Sequence, residues 1–319
     1  MPTDAILSTA RHYLGVDPSV PVVLEPIQRG ASGRTIMRVR APGHEPFIGI
    51  HATDERADNR HFVPVARFLH KAKVRVPAVL HDNPSRKACL VEDLGDTHLL
   101  DLRAEPFGQR LPLYRSALEQ IDRLFYAKAP DDLELMPPFD AGLYRWEQDY
   151  FFEHLVEELL GLDAGPLRGH PAFGALAAQL GSTHRHLVHR DFQSQNIMVR
   201  GGQAWLLDFQ GLRRGRQEYD LASLVHDPYL DHSPAECERL MELWEEIAED
   251  RPEQSLFNAC AAQRLMQALG AYGNISRNLG KHWYRQHVPT AARHLRQVVA
   301  GTPLAAPLAP VLDAAEQLA

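Results

Sequence analysis

The sequence predicts an α+β fold of two lobes, a β-rich front over residues 1–94 and an α-helical back over residues 95–319. Three observations carry this reading. Short apolar runs bounded by turn residues crowd the front, and long amphipathic stretches at helical spacing fill the rest. The helical half is broken once, between residues 187 and 208, where β-like runs flank two acidic residues.

In order, residues 3–14 read as a short helix, and Val22–Ile27 and Thr35–Arg40 as two strands around the turn Arg29-Gly-Ala-Ser-Gly-Arg34. Phe47-Ile-Gly-Ile-His51 is a third strand. Phe62, Val65, Phe68 and Leu69 mark a helix within 55–71. Pro77–Leu80 and Ala88–Val91 complete a small sheet, and Glu92-Asp-Leu-Gly95 ends it. Helices are expected near 109–127, 143–161, 171–186, 234–250 and 255–279, and the Ala/Pro/Leu-rich tail after about residue 300 reads as a loosely docked end.

Bulk properties exclude several classes. A net charge of -7 over 319 residues argues against a nucleic-acid binder and an electrostatic membrane anchor. No segment approaches the roughly 18 apolar residues of a membrane span, and the N-terminus lacks a secretory pattern, so a cytoplasmic protein is expected. Cys89, Cys237 and Cys260 lie far apart, suggesting neither disulfides nor a zinc knuckle.

The chemistry concentrates in His189-Arg-Asp-Phe-Gln-Ser-Gln-Asn196 and in Asp208-Phe-Gln-Gly211, which begins seventeen residues after Asp191. This is the spacing of a phosphoryl-transfer loop followed by a metal-binding carboxylate. Such chemistry needs one carboxylate to orient and deprotonate a hydroxyl, the role assigned to Asp191. It also needs oxygen ligands for Mg²⁺ on the ATP phosphates, assigned to Asn196 and Asp208. The alternative, two turn-capping aspartates, requires three correctly spaced groups to coincide. His189 and Arg190 are read as braces of the loop.

These motifs, with Tyr219-Asp-Leu-Ala-Ser223 downstream, resemble the aminoglycoside phosphotransferases and related small-molecule kinases. The resemblance covers nearly the whole chain and implies the two-lobed protein-kinase-like fold, with Asp220 structural. Within that group the chain is most similar to the anomeric kinases for N-acetylmuramate and N-acetylglucosamine in cell-wall recycling. Four stretches carry this: Asp58-Asn-Arg60, Arg75–Leu80 leading to Leu90–Gly95, Asp208-Phe-Gln210, and Gln263-Arg-Leu-Met-Gln-Ala-Leu-Gly270. The resemblance implies transfer to the sugar C1 hydroxyl, and a pathway link to a sugar-1-phosphate nucleotidyltransferase. An aminoglycoside kinase and a nucleotide-binding pseudokinase are the competing readings.

Gly30, Ser32, Gly33 and Arg34 are candidate phosphate contacts, although glycine is equally the ordinary turn residue. Glu92 and Leu94 belong to a hinge whose backbone would meet adenine. The third strand lacks the usual kinase lysine, which leaves Arg34, Arg38 or a rearranged loop to meet phosphate. Trp146, Tyr150, Phe151 and Leu155 share a helix face, read as core or as a sugar-stacking surface. Glu147, Asp149, Glu153, Glu157 and Glu158 form an acidic face, either solvated or able to meet a cationic aminoglycoside. Arg213, Arg214 and Arg216 are a solvated basic loop or a site for a substrate carboxylate.

Overall fold

The computed structural model describes residues 1–27, 33–53, 56–182, 185–248 and 253–318. Gly30 and Ser32 therefore lie outside the described residues. The front opens with helix α1 (Pro2–Leu14), stopped by Gly15 in the left-handed conformation, φ 63°. Strands β1 (Val23–Pro26), β2 (Thr35–Arg40), β3 (Phe47–His51), β4 (Val79–Asn83) and β5 (Ala88–Glu92) form an antiparallel sheet in the order β1-β2-β3-β5-β4. Ile6 and Ala10 of α1 meet Val39, Phe47 and Leu90 in a small core on one face of this sheet. Gly49 makes that approach feasible, because a Cβ there would stand 2.3 Å from Cγ2 of Ile6. Helix α2 (Phe62–Lys71) buries Phe62, Val65, Ala66, Phe68 and Leu69 in the main core.

The back is built from helices α3 (Phe107–Tyr126), α4 (Ala141–Phe151), α5 (Gly165–Arg168), α6 (Pro171–Gly181), α7 (Gln217–Val225), α8 (Pro234–Ile247), α9 (Gln254–Asn278), α10 (Val288–Val299) and α11 (Ala305–Glu316). The helix expected over 143–161 starts as α4 and passes into a π-helical segment, Phe152–Leu159. Long α9 lies against both. Gly270 and Gly273 permit this, since a Cβ on Gly273 would lie 2.3 Å from the His154 carbonyl oxygen and one on Gly270 3.0 Å from the Phe151 backbone.

The tail after residue 300 is not loosely docked. Helix α11 buries Leu308, Val311, Leu312 and Ala315, and Arg296 of α10 clamps it with bonds of 2.7 Å to Glu316 and to Asp313. Arg75 fastens front to back: its side chain donates to the Ala204 carbonyl (3.0 Å) and to Ser116 (2.6 Å), and its own carbonyl accepts from Leu206 N–H (2.8 Å). Among the described residues no helix is long and apolar enough to cross a membrane.

Candidate active site

Two short antiparallel ribbons interrupt the helices. Strand β6 (His186–Val188) pairs with β9 (Arg213–Gly215), and β7 (Ile197–Arg200) with β8 (Gln203–Leu206). Gly201 and Gly202, at φ 58° and 72°, close the second as a two-residue hairpin turn that only residues tolerant of positive φ make well. The loop leaving β6 carries Asp191 and Asn196, and the chain leaving β8 carries Asp208.

Buried Asp220 sets the first loop. Its carboxylate accepts the N–H groups of His189 (2.6 Å) and Arg190 (2.7 Å), which fits the structural role read from the sequence. Asp227 is a second brace that sequence reasoning missed, accepting from Ser194 N–H (2.7 Å) and Tyr229 N–H (3.0 Å). The His189 ring meets the Leu207 carbonyl (2.8 Å), tying one acidic loop to the other. Burial pushes this histidine's pKa down, so the ring is neutral and donates there. Arg190 (φ 81°) and Asp208 (φ 61°) both hold left-handed backbone, an uncommon conformation for non-glycine residues that concentrates at functional turns.

Asp191, Asn196 and Asp208 line one cleft of about 1020 Å³ between the sheet and the helices. Arg190 donates to Asp191 Oδ2 from Nε (2.9 Å) and Nη2 (2.6 Å), and Arg264 of α9 faces Oδ1 at 3.7 Å. Burial alone would raise the Asp191 pKa, but these guanidinium groups outweigh it and hold the carboxyl well below the usual carboxylate range. Asn196 donates its Nδ2–H to the Asp191 carbonyl (2.9 Å), and its Oδ1 takes no hydrogen bond from the described residues. Asp208 accepts from Gln210 (2.8 Å) and pairs with Arg34. An amide oxygen and a carboxylate lining one cleft are the donor chemistry that Mg²⁺ takes.

Toward the sheet the cleft is apolar, with Ile36, Ile48, Ile50, Val91, Leu94 and Met198 along it, and Glu92 at its edge. Glu92 also pairs with Arg200. Of the two arginines offered in place of a third-strand lysine, Arg38 is committed elsewhere. It donates to Asp93 at 2.6 and 3.0 Å and to the Gly95 carbonyl at 3.1 Å, fixing the turn after β5. Arg34 stands in the cleft. Gly33, at φ 68°, precedes it but does not line the cleft among the described residues. Helix α2 offers no glutamate; instead its Phe62 stacks on Phe209, ring centroids 5.1 Å apart.

On the helical back the wall is aromatic: Tyr150, Tyr229, Tyr272, Trp283 and Tyr284, with the amides of Gln267 and Asn274. Of these rings only Tyr150 was singled out in the sequence, and Gln267 only as part of the Gln263–Gly270 stretch. Rings recurring through 272–287 were the available signal. The stripe running from α4 into the π-helical segment divides: Phe151 and Leu155 are core, Tyr150 lines the cleft with its hydroxyl bonded by Asn274 (2.8 Å), and Trp146 is 58% exposed.

Two other expectations are corrected. Arg213 and Arg216 are buried, donating to the carbonyls of Gly211 and of Leu180 and Gln179, and none of Arg213, Arg214 and Arg216 reaches the cleft. The acidic face does not reach the cleft either; the solvated reading holds for Asp149, Glu153, Glu157 and Glu158, which are partly or fully exposed, and fails for Glu147. Glu147 is buried and accepts from Tyr219 (3.0 Å) and Gln263 (3.1 Å), while Asp149 and Glu157 pair with Arg168.

A family model described as "phosphotransferase enzyme family" matches residues 23–257. The chain belongs to that family. Relatives in Pseudomonas putida and Pseudomonas aeruginosa, both named N-acetylmuramate/N-acetylglucosamine kinase, are 27% and 28% identical. The alignments cover 86% and 93% of this chain and 82% and 90% of those proteins. Among solved structures, a choline/ethanolamine kinase family protein from Mesorhizobium loti superposes with a TM-score of 0.63 at 17% identity, covering 99% of each chain. A thermostable aminoglycoside phosphotransferase APH(4)-Ia, in complex with ADP and hygromycin B, gives 0.63 at 16% identity over 93% of this chain and all of that one. The fold is that of the aminoglycoside phosphotransferases and choline kinases, the two-lobed fold that the resemblance implied.

Proposed function

We propose that this phosphotransferase moves the γ-phosphoryl group of ATP to the C1 hydroxyl of an N-acetylated amino sugar, N-acetylmuramate or N-acetylglucosamine. One observation carries the reading: Asp191, Asn196 and Asp208 line one cleft whose walls include aliphatic residues of the sheet and aromatic residues of the helical back. Adenine suits the aliphatic wall beside Leu94, within the expected hinge Glu92–Gly95. A sugar ring, with its apolar face and polar rim, suits the exposed ring of Trp283 and the half-buried Tyr150 with the amides of Gln267 and Asn274. The names of the Pseudomonas relatives support the choice of sugar.

Asn196 and Asp208 would hold Mg²⁺, which when bound neutralises charge on the transferring phosphates. Asp191 then orients the sugar hydroxyl as a hydrogen-bond acceptor. The hydroxyl oxygen forms its bond to phosphorus as the bond to the ADP oxygen breaks, and the hydroxyl proton passes to Asp191. Because Arg190 and Arg264 keep that carboxylate a weak base, the proton moves late, once bond formation has acidified the hydroxyl. The product is a sugar 1-phosphate, the substrate class of a nucleotidyltransferase.

The test is to supply Mg-ATP with N-acetylmuramate, N-acetylglucosamine, glucose, choline and kanamycin separately, and to locate new phosphate by ³¹P and ¹H NMR. Phosphorus coupled to the anomeric proton of an N-acetylated sugar is expected. Phosphorylated kanamycin with no sugar product contradicts the reading, as does nucleotide binding without transfer.

A further inference from the structure

The missing lysine leaves an electrostatic gap where the triphosphate would lie, and strand register shows what can fill it. Thr35 of β2 sits opposite His51 of β3, and Ile36 opposite Ile50. Side chains alternate between faces. Ile36, Ile48 and Ile50 all line the cleft, so Arg34, two residues before Ile36, emerges on the same face one step beyond the end of β3. It reaches from the second strand the space a lysine on the third would otherwise enter.

The Arg34 side chain is 6% exposed. Its guanidinium pairs with Asp208, bonds Gln210 Oε1 (3.2 Å) and rests 5.7 Å from the centroid of the Phe62 ring. Its Nε is buried and takes no hydrogen-bond acceptor among the described residues. A buried guanidinium with an unused N–H, held on the carboxylate assigned to the metal, has donor capacity to spare and the wrong occupant for turnover.

We propose that Arg34 replaces the third-strand lysine as a positioning residue and moves between two anions. Without nucleotide it sits on Asp208 and excludes a divalent cation. When the polyphosphate enters, the guanidinium transfers to phosphate oxygens, which match its fork better than one shared carboxylate oxygen, and Asp208 is released to the cation. Nucleotide and metal thereby bind with positive coupling, and the coupling is reciprocal. This rests on Asp208 being a metal ligand.

The test measures Mn²⁺ affinity by EPR, with and without AMP-PNP, and AMP-PNP affinity by calorimetry, for wild type, Arg34→Ala, Arg34→Gln and Asp208→Asn. In wild type Mn²⁺ binding should be weak alone and about tenfold or more tighter with AMP-PNP, a change of roughly 1.4 kcal/mol. Arg34→Ala and Arg34→Gln should bind Mn²⁺ tighter than wild type without nucleotide, bind AMP-PNP several-fold more weakly, and lose most of the coupling. A residue that merely supports the fold would weaken both ligands or neither, and either pattern overturns the proposal. Gln keeps a polar side chain without the charge or the fork and serves if the alanine variant fails to fold. Mn²⁺ binding that depends on Asp208 but ignores Arg34 sinks this inference alone. Mn²⁺ binding unaffected by Asp208→Asn removes the metal assignment, and this proposal with it.

Discussion

Gly273→Ala should damage both stability and activity, for a reason visible in the packing of α9. The added Cβ would stand 2.3 Å from the His154 carbonyl oxygen, 2.7 Å from its carbon and 3.1 Å from Leu155 N. Relief needs about 1 Å of extra separation, and the obstacle is backbone rather than a side-chain tip that could swing away. Overpacking of this kind costs roughly 3 kcal/mol, against a gain of about 0.5–1 kcal/mol from replacing a helical glycine. Gly174→Ala supplies the control: the site is exposed in α6, and a Cβ there meets nothing within 4 Å, so only the gain remains. Urea denaturation followed by circular dichroism should show Gly174→Ala slightly more stable than wild type and Gly273→Ala less stable by about 2–2.5 kcal/mol. Activity should follow, because α9 carries Arg264, Gln267 and Tyr272 into the cleft, and a displacement near 1 Å costs up to about a hundredfold in rate. A Gly273→Ala protein as stable as Gly174→Ala would refute the account of how α9 is seated.

Two further outcomes are expected. Burial pushes Glu147 up to about 7 from 4.5, against hydrogen bonds from Gln263 and Tyr219. The folded state therefore holds this proton more tightly than the unfolded one between those values, and stability falls as pH rises from about 4.5 through about 7. Glu147→Gln should remove that slope, gaining roughly 2–3 kcal/mol relative to wild type at pH 8 compared with pH 5 in parallel denaturation curves; parallel pH profiles would count against a titrating Glu147. Trp283→Ala, at a residue 47% exposed, should raise KM for the sugar about three- to tenfold while leaving KM for ATP and stability nearly unchanged, and an equal effect on both substrates would argue against an aromatic sugar wall.

Local signals in the chain were legible where chemistry or periodicity is written in consecutive residues. The loop from His189 to Asn196 and the Asp208 segment fix spacing directly, and α3, α8 and α9 fall within a few residues of their periodic stretches. What sequence could not show are contacts made across it. Glu147 looks like part of a solvated face until Tyr219 and Gln263, 72 and 116 residues away, are folded onto it. Arg213 and Arg216 look like a basic loop until main-chain carbonyls enclose them. Arg34 and Asp208 are 174 positions apart, so neither residue's neighbours announce the pair. Helix α11 was hidden by Pro307 and Pro310, which suggest a broken tail, whereas a proline in the first turn is readily tolerated and the apolar face of α11 supplies enough burial to keep Pro310. The Gln263–Gly270 stretch was recognised only as a family likeness. Its physical content is a carboxamide holding Glu147, a guanidinium facing Asp191, and a glycine that admits α4.

The most direct measurement is the rate of sugar phosphorylation by Asp191→Asn under saturating Mg-ATP and N-acetylmuramate, read by ³¹P NMR beside wild type. The variant keeps the size and polarity of the side chain but not its ability to take a proton. A fall in kcat of roughly 10²- to 10⁴-fold in a protein with an unchanged circular dichroism spectrum is predicted. A folded Asp191→Asn enzyme turning over at close to the wild-type rate would contradict it.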